Sequence, residues 1–147
     1  MQDQPIRTLH SDEADIRRLI ILYGFLLDDR RFNEWADLFT PDATCMGHVG
    51  RPAIVQAIAH MQCSAGNKHI ACSSLINLSG DRALAWTDGF GLVDAGPGDG
   101  GARSYAFFPL RYYDQLVREK DRWRFARRDV RLPGRPPPEG SVEVPAT

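Results

Sequence analysis

Apolar residues recur at three- and four-residue spacing through Ile16, Leu19, Ile20, Tyr23, Leu26 and Leu27, the period of one helical face. Ser11 stands just before Asp12, Glu13 and Asp15. A serine N-cap with acids behind it suits the positive end of a helix, so the pattern predicts a helix over about 12–30. Phe32, Trp35, Leu38 and Phe39 predict a second, short helix stopped by Thr40-Pro41-Asp42. Residues 43–46 read as a short strand and 47–50 as a break. Pro52 then opens a third helix with Ile54, Val55 and Ile58 as its apolar stripe. After Ala65-Gly66-Asn67 the period falls to two. Strands are predicted over 68–78 and 82–93, joined by the tight turn Ser79-Gly80-Asp81. The glycine-rich stretch 94–101 reads as a loop. Two further strands follow, over 103–117 and 123–132, joined at Glu119-Lys120-Asp121.

Helices first and a four-strand meander after define an α+β chain with a mostly antiparallel sheet. Residues 1–10 read as a loose arm and 11–132 as one folded domain. The tail over 133–147 holds Pro133, Gly134 and Pro136-Pro137-Pro138, a composition that either covers the domain or stays unstructured. A chain of 147 residues with 43% hydrophobic and 25% charged positions buries a core without staples. Eighteen Lys+Arg against nineteen Asp+Glu leave a net charge of −1, which argues against a general nucleic-acid binder. The longest apolar run, about 19–27, is broken by Tyr23 and Gly24 and is far too short for a membrane span. No basic-then-apolar signal opens the sequence. Cys45, Cys63 and Cys72 are odd in number and widely spaced. A disulfide framework is therefore not expected, and a reducing cytoplasm is.

Candidate chemistry starts at Asp28, which follows Phe25-Leu26-Leu27 at the end of the long helix. Asp28 and Asp29 are either two surface acids or one inward acid beside an outward one. Tyr23 lies five residues earlier, about 140° round a helix of about 3.6 residues per turn. Tyr23 and Asp28 share a cavity only if the helix loosens or the cavity wraps its end. His69 opens the first long strand. Alone it is an ordinary hydrogen-bonded histidine. Beside a carboxylate that fixes one ring nitrogen, its other nitrogen becomes a base near neutral pH.

The later strands supply walls. Over 103–117 one alternation gives Tyr105, Phe107, Arg111 and Tyr113, and the other gives Ser104, Ala106, Phe108, Leu110 and Tyr112. Over 123–132, Trp123, Phe125, Arg127, Asp129 and Arg131 alternate on one face. Aromatics with polar tips suit an apolar pocket, and suit equally a core backed by a subunit interface. Trp86, Asp88, Tyr105, Phe107 and Tyr113 are the expected pocket wall; a slip of one residue exchanges the two faces.

Other signals are weaker. Cys45-Met46-Gly47-His48 has ligand-like spacing, but no second pair repeats it and His60 and Cys63 lie on another element, so no metal is expected. The glycines of 96–101 precede a strand rather than a helix N-terminus, so no nucleotide cofactor is expected. No Gly-x-Ser-x-Gly elbow occurs. Arg122, Arg124, Arg127, Arg128 and Arg131 form a strip interrupted by Asp121 and Asp129, which reads as a solvated or interface face.

The stretch from Tyr23 through Asp28, Trp35, Phe39 and Asp42 to Ala43 resembles the opening helices of SnoaL-like proteins. These belong to the nuclear transport factor two-like superfamily, with scytalone dehydratase, bile acid dehydratase, ketosteroid isomerase and the small subunits of ring-hydroxylating dioxygenases. Lys68-His69, Ser79 to Ala83, Arg111 to Asp114 and Arg122 to Phe125 follow in the same order, so the resemblance spans about 10–132. It implies a cone: a strongly curved mixed sheet around an apolar pocket closed by three N-terminal helices. It also implies a catalytic pair, Asp28 with His69, and a third group, Tyr23, matching the tyrosine of bile acid dehydratase. One feature departs. The second histidine of scytalone dehydratase is absent where this chain reads Ala85-Trp86-Thr87-Asp88, leaving Thr87 or Asp88 in its place. The implied activity is cofactor-free proton abstraction, as a lyase or isomerase, on a small hydrophobic cyclic hydroxy-ketone. The alternative is a non-catalytic binding or structural subunit. Family members commonly pair as dimers or trimers through the back of the sheet, and the proline-rich tail is a candidate cover for the pocket mouth.

Overall fold

A computed structural model describes residues 9–62 and 65–141. The elements are α1 (Leu9–Asp28), α2 (Phe32–Ala36), β1 (Phe39–Cys45), β2 (His48–Val49), α3 (Arg51–Met61), β3 (Lys68–Ser79), β4 (Arg82–Pro97), a short 3-10 turn (Asp99–Gly101), β5 (Arg103–Glu119) and β6 (Arg122–Arg131). The strands form one sheet in the order β2-β1-β6-β5-β4-β3. β1 runs parallel to β6 and every other neighbour is antiparallel. The result is a mixed α+β fold, a curved open sheet with its helices on one face.

Several boundaries differ from the sequence reading. The helix begins at Leu9, so Ser11 lies inside it and is not its N-cap. The expected arm over 1–10 otherwise lies outside the described residues. Phe39 starts a strand rather than ending a helix: β1 runs through Pro41, and Phe39 pairs with Phe125 of β6. β4 continues to Pro97 through part of the expected loop, because β5 pairs with it as far as Arg103.

α1 ends by a defined device. Arg31 N–H donates to Leu26 O and Arg30 N–H to Leu27 O, with Arg30 at φ 59°. This pair of reverse bonds with a left-handed residue satisfies the last carbonyls and stops the helix just after Asp28. Asp28 is thereby delivered on the final turn, while Asp29 is exposed. The inward stripe of α1, Ile16, Leu19, Ile20, Tyr23 and Leu27, packs with Trp35, Phe39, Tyr112, Leu116 and Phe125.

The centre of this core is charged. Arg128 donates from Nε and Nη2 to both oxygens of Asp114, at 2.7 and 2.8 Å, and both side chains are fully enclosed. The guanidinium lies 4.1–4.2 Å from the ring centres of Tyr23, Tyr112 and Phe125. Burial works against the Arg128 charge, but Asp114 overcomes it and lifts the guanidinium above its ordinary range. The expected solvated arginine strip is thus wrong at Arg128. An extra residue in β6, Ala126, separates the Leu116–Phe125 and Gln115–Arg127 pairings. This bulge switches the alternation, so Phe125 and Arg128 both point inward while Arg127 and Asp129 point out.

Breaking a buried pair strands the surviving charge, which costs about 3–5 kcal/mol. Asp114→Asn is expected to lower stability by that amount in urea unfolding at neutral pH. Asp88→Asn, which opens the exposed Asp88–Arg111 pair, is expected to cost about 0–1 kcal/mol.

Candidate active site

The site forms where the last turn of α1 meets the start of β3. Gly24 makes that approach possible: a Cβ there would lie 2.5 Å from the His69 carbonyl oxygen. One turn on, Asp28 reaches the same strand. Its Oδ2 accepts the His69 backbone N–H at 3.1 Å and its Oδ1 accepts from the His69 ring at Nδ1, 2.7 Å away. Lys68 Nζ lies 3.9 Å from Oδ2. The Asp28 side chain is 5% exposed and that of His69 16%. A carboxylate at a helix C-terminus faces the negative end of the macrodipole. Here the two N–H groups of one residue offset that cost and fix the imidazole in place.

The other ring nitrogen, Nε2, lies 3.3 Å from the Gln62 side-chain amide nitrogen. Gln62 Oε1 accepts from Asn67 Nδ2 at 2.9 Å, and Asn67 Oδ1 accepts the Asp94 backbone N–H at 3.1 Å. A backbone N–H can only donate. That sets Asn67 oxygen-first towards Asp94, which sets Gln62 amide-first towards His69. Nε2 is therefore the acceptor and Nδ1 carries the proton given to Asp28.

His69 lines a crevice with Ile20, Ile21, Tyr23, Gly24, Ala71, Tyr112 and Arg128, of about 10 Å³, the room of a single water. Asp28 stands behind His69 rather than in the crevice. Burial raises the Tyr23 phenol well above its usual range and Tyr112 to about 12, so both stay protonated and act as donors. Burial also pushes the Cys45 thiol up to about 12, so it stays protonated and unreactive.

His69 and Tyr23 thus line one crevice with Asp28 behind the imidazole, and α1 stays helical through Asp28. The expected pocket wall does not join them. Tyr112 packs on Tyr23, so its neighbour Tyr113 points to the opposite face. The β4–β5 register carries Trp86, Asp88, Tyr105 and Phe107 to that outer face with it. Trp86 meets Tyr113 edge to face, and Asp88 is held by Arg111. Asp88 and Tyr113 do line a groove of about 430 Å³, but with Arg111, Arg131 and residues 132–135, away from the imidazole. The tail crosses this outer side, where Arg127 donates to Glu139 O and Gln115 to Gly140 O; none of its described residues lines the crevice. Its residues 142–147 lie outside the described residues.

Of the two groups in place of the missing histidine, Thr87 is the one on the inner face, bonded to Ser74 at 2.9 Å. Gln62, Asn67, Tyr112, Asp114 and Arg128 belong to the site or its walls and were not picked out from the sequence. For Asp114 a signal existed: it alternates with Tyr112 and Leu116, which face the core; Arg128 is turned inward only by the bulge at Ala126. Cys63, the remaining ligand-like cysteine, is not described, and no group of three or more His, Cys, Asp or Glu able to hold a metal occurs among the described residues. No described helix is long and apolar enough to cross a membrane.

Solved structures share this architecture. An NTF2-like protein with a cystatin-like fold from Novosphingobium aromaticivorans superposes with a TM-score of 0.70 at 21% identity, over 88% of this chain and 92% of that one. A protein from the same organism, provisionally named scytalone dehydratase, gives 0.71 at 22% identity over 82% and 83%. The fold is thus that of the nuclear transport factor two-like class. Within it, the chain belongs to the SnoaL-like domain family, whose model matches residues 9–129. The uncharacterized protein Rv2910c of Mycobacterium tuberculosis is 32% identical over 129 residues, covering 80% of this chain and 83% of that protein.

Gly24→Ala tests the close approach. Alanine improves a helix by about 1 kcal/mol where space allows; here overpacking against the His69 carbonyl costs about 1–3 kcal/mol. A net fall in stability and a lengthened His69–Asp28 contact by NMR are expected; unchanged or increased stability rejects the packing argument.

Proposed function

We propose that this chain removes a proton next to a carbonyl in a small hydrophobic cyclic hydroxy-ketone, ending in loss of water or migration of a double bond. The observation that carries the reading is the 2.7 Å Asp28–His69 contact, which leaves Nε2 as the basic atom of a ring that lines the crevice with two phenols and a guanidinium. His69 Nε2 takes the proton from the α-carbon, and the electron pair moves onto the carbonyl oxygen. Asp28 holds the imidazolium so formed. Tyr23 donates to the developing oxyanion, with Tyr112 and the Arg128 charge across the crevice. In a dehydration the β-hydroxyl then leaves with the proton from Nε2 as water, and the enolate pair closes the double bond. In an isomerisation the proton returns at another carbon.

A positioned base contributes about 10²–10⁴-fold and each donor to the oxyanion about 10²–10³-fold. Because the crevice holds about one water, substrate entry requires its wall at Ile21 to move aside and Gln62 to leave Nε2. The free thiols Cys45 and Cys72 suit a reducing cytoplasm. The outer sheet face exposes Ile70, Leu75, Tyr105 and Phe107, an apolar surface on an antiparallel sheet side that is polar when solvated, and a second copy of this chain is its proposed cover.

The test uses cyclic β-hydroxyketones in heavy water, following α-hydrogen exchange by NMR and enone formation by absorbance. His69→Ala and Asp28→Asn are each expected to lower the rate about 10²–10⁴-fold while circular dichroism at the assay temperature shows the fold retained. Parent-like rates in either variant, or no exchange by the parent across the panel, reject the reading and leave the binding-subunit alternative.

A further inference from the structure

The amide chain behind His69 has a direction that a packing role does not need. Its origin, the Asp94 backbone N–H, is a donor that no rotation can reverse. Asp94 is itself held: its carboxylate accepts from Gly96 N–H and Arg103 Nε, both at 2.9 Å, and its side chain is 2% exposed. Gly66 leaves the room, since a Cβ there would fall 2.3 Å from Asp94 Oδ2. Asn67 is buried against this anchor. The donor that finally faces Nε2 therefore arrives by a fixed route from the end of β4.

Its consequence follows from what surrounds the ring. Asp28, on α1, accepts from Nδ1 and on its own favours the doubly protonated imidazolium, a ring with no lone pair left to act as a base. Lys68 on β3 lies against Asp28, Arg128 on β6 and the phenols of Tyr23 and Tyr112 line the crevice, and Arg30 donates to the Gln62 carbonyl. Of these groups, only the Gln62 amide has a hydrogen bond to Nε2 among the described residues. An N–H pointed at Nε2 tolerates a lone pair there and repels a second N–H.

We propose that Gln62 is a positioning residue which, oriented through Asn67 from the Asp94 backbone N–H, keeps His69 neutral and holds open the place at Nε2 that the reacting hydrogen takes. The claim about the proton stands without substrate. Only the reacting hydrogen rests on the proposed function. At 3.3 Å the Gln62 contact is long for a hydrogen bond, so an incoming molecule displaces it at little cost. Once it is displaced, the base regains the lone pair that Gln62 had occupied.

The experiment is nitrogen-15 NMR of the histidine rings across pH, with His69→Gln assigning the His69 signals. In the parent protein, the neutral His69 ring shows a protonated Nδ1 and a bare Nε2. Asn67→Asp is nearly isosteric but acceptor-only. It turns the Gln62 amide towards position 67 and its oxygen towards His69, and raises the His69 proton affinity about tenfold. Gln62→Glu does the same directly. Gln62→Met removes the donor and gives a smaller rise. In Gln62→Met/Asn67→Asp the Asn67→Asp effect falls to a residue of through-space charge, because its route is cut. If Asn67→Asp fails to fold by circular dichroism, Gln62→Glu, on a half-exposed side chain, still decides. Parent-like titration in Gln62→Glu, or a full Asn67→Asp effect that survives Gln62→Met, overturns the proposal. Loss of turnover in His69→Ala with parent-like titration in Gln62→Glu sinks this inference alone; the reverse pattern sinks the proposed function alone.

Discussion

Asp28 is a carboxylate placed at the wrong end of a helix, and the molecule is arranged to make that tolerable. The negative end of the α1 dipole disfavours it, and its side chain is nearly enclosed. What offsets both is a single residue, His69, whose backbone N–H and ring each satisfy one oxygen. The contact demands that a helix lie almost on a strand's backbone, hence glycine at position 24. It also requires the helix to stop within a residue of Asp28, hence the reverse-bonded end with Arg30 in the left-handed region. β3 is the edge of the sheet, paired on one side only by β4. The α1 contact and the bulge at Cys72 shield an edge that would otherwise be open to pairing. The strand that carries His69 is thus held in place by the same contact that orients its imidazole.

A second charge governs the interior. Replacing a buried ion pair by apolar groups is often neutral or stabilising, so Arg128 and Asp114 are not explained by stability alone. Their position offers a physical reason. Arg128 lines the same crevice as the imidazole, and its charge favours negative charge on a molecule bound there. On the proposed reading that is where the oxyanion develops. The three rings packed around the guanidinium keep water from screening it, which strengthens that effect.

The strands were legible because their turns are: Ser79-Gly80-Asp81 and Glu119-Lys120-Asp121 separate runs of period two, and the hairpins follow with a constant register over most of their length. The long helix was legible from its stripe, and the Asp28–His69 pair from the family pattern around it. Which face of the sheet looks inward was not legible. Both alternations of β5 carry aromatics, so hydrophobicity does not choose between them, and Tyr105, Phe107 and Tyr113 went to the wrong side. The bulges at Cys72 and Ala126 leave no mark in composition, yet each reverses the alternation beyond it; Arg128 was lost that way. Gln62 and Asn67 escaped for a different reason. A neutral amide in a connecting segment has no periodicity, and its value lies only in what it faces.

Cavity size points to the opposite place from chemistry in this molecule. The outer groove of about 430 Å³ fits a small ligand, but its acid, Asp88, is held by Arg111, which draws its carboxyl below the usual range, and no imidazole lines it. The inner crevice holds about one water, yet it joins a tautomer-fixed imidazole, two protonated phenols and a buried cation. A reaction that creates charge from a neutral substrate gains most where those groups are preorganised and dry. The neighbouring side chains that move cheaply are two: Ile21, in the crevice wall, is half exposed on α1, and Gln62, just past α3, reaches Nε2 by a long contact. Asp28, His69, Asp114 and Arg128, by contrast, are fixed by enclosed bonds. A rigid reactive wall behind a loose front fits a pocket that opens to the size of its ligand, and the closed volume then measures the resting packing rather than the substrate.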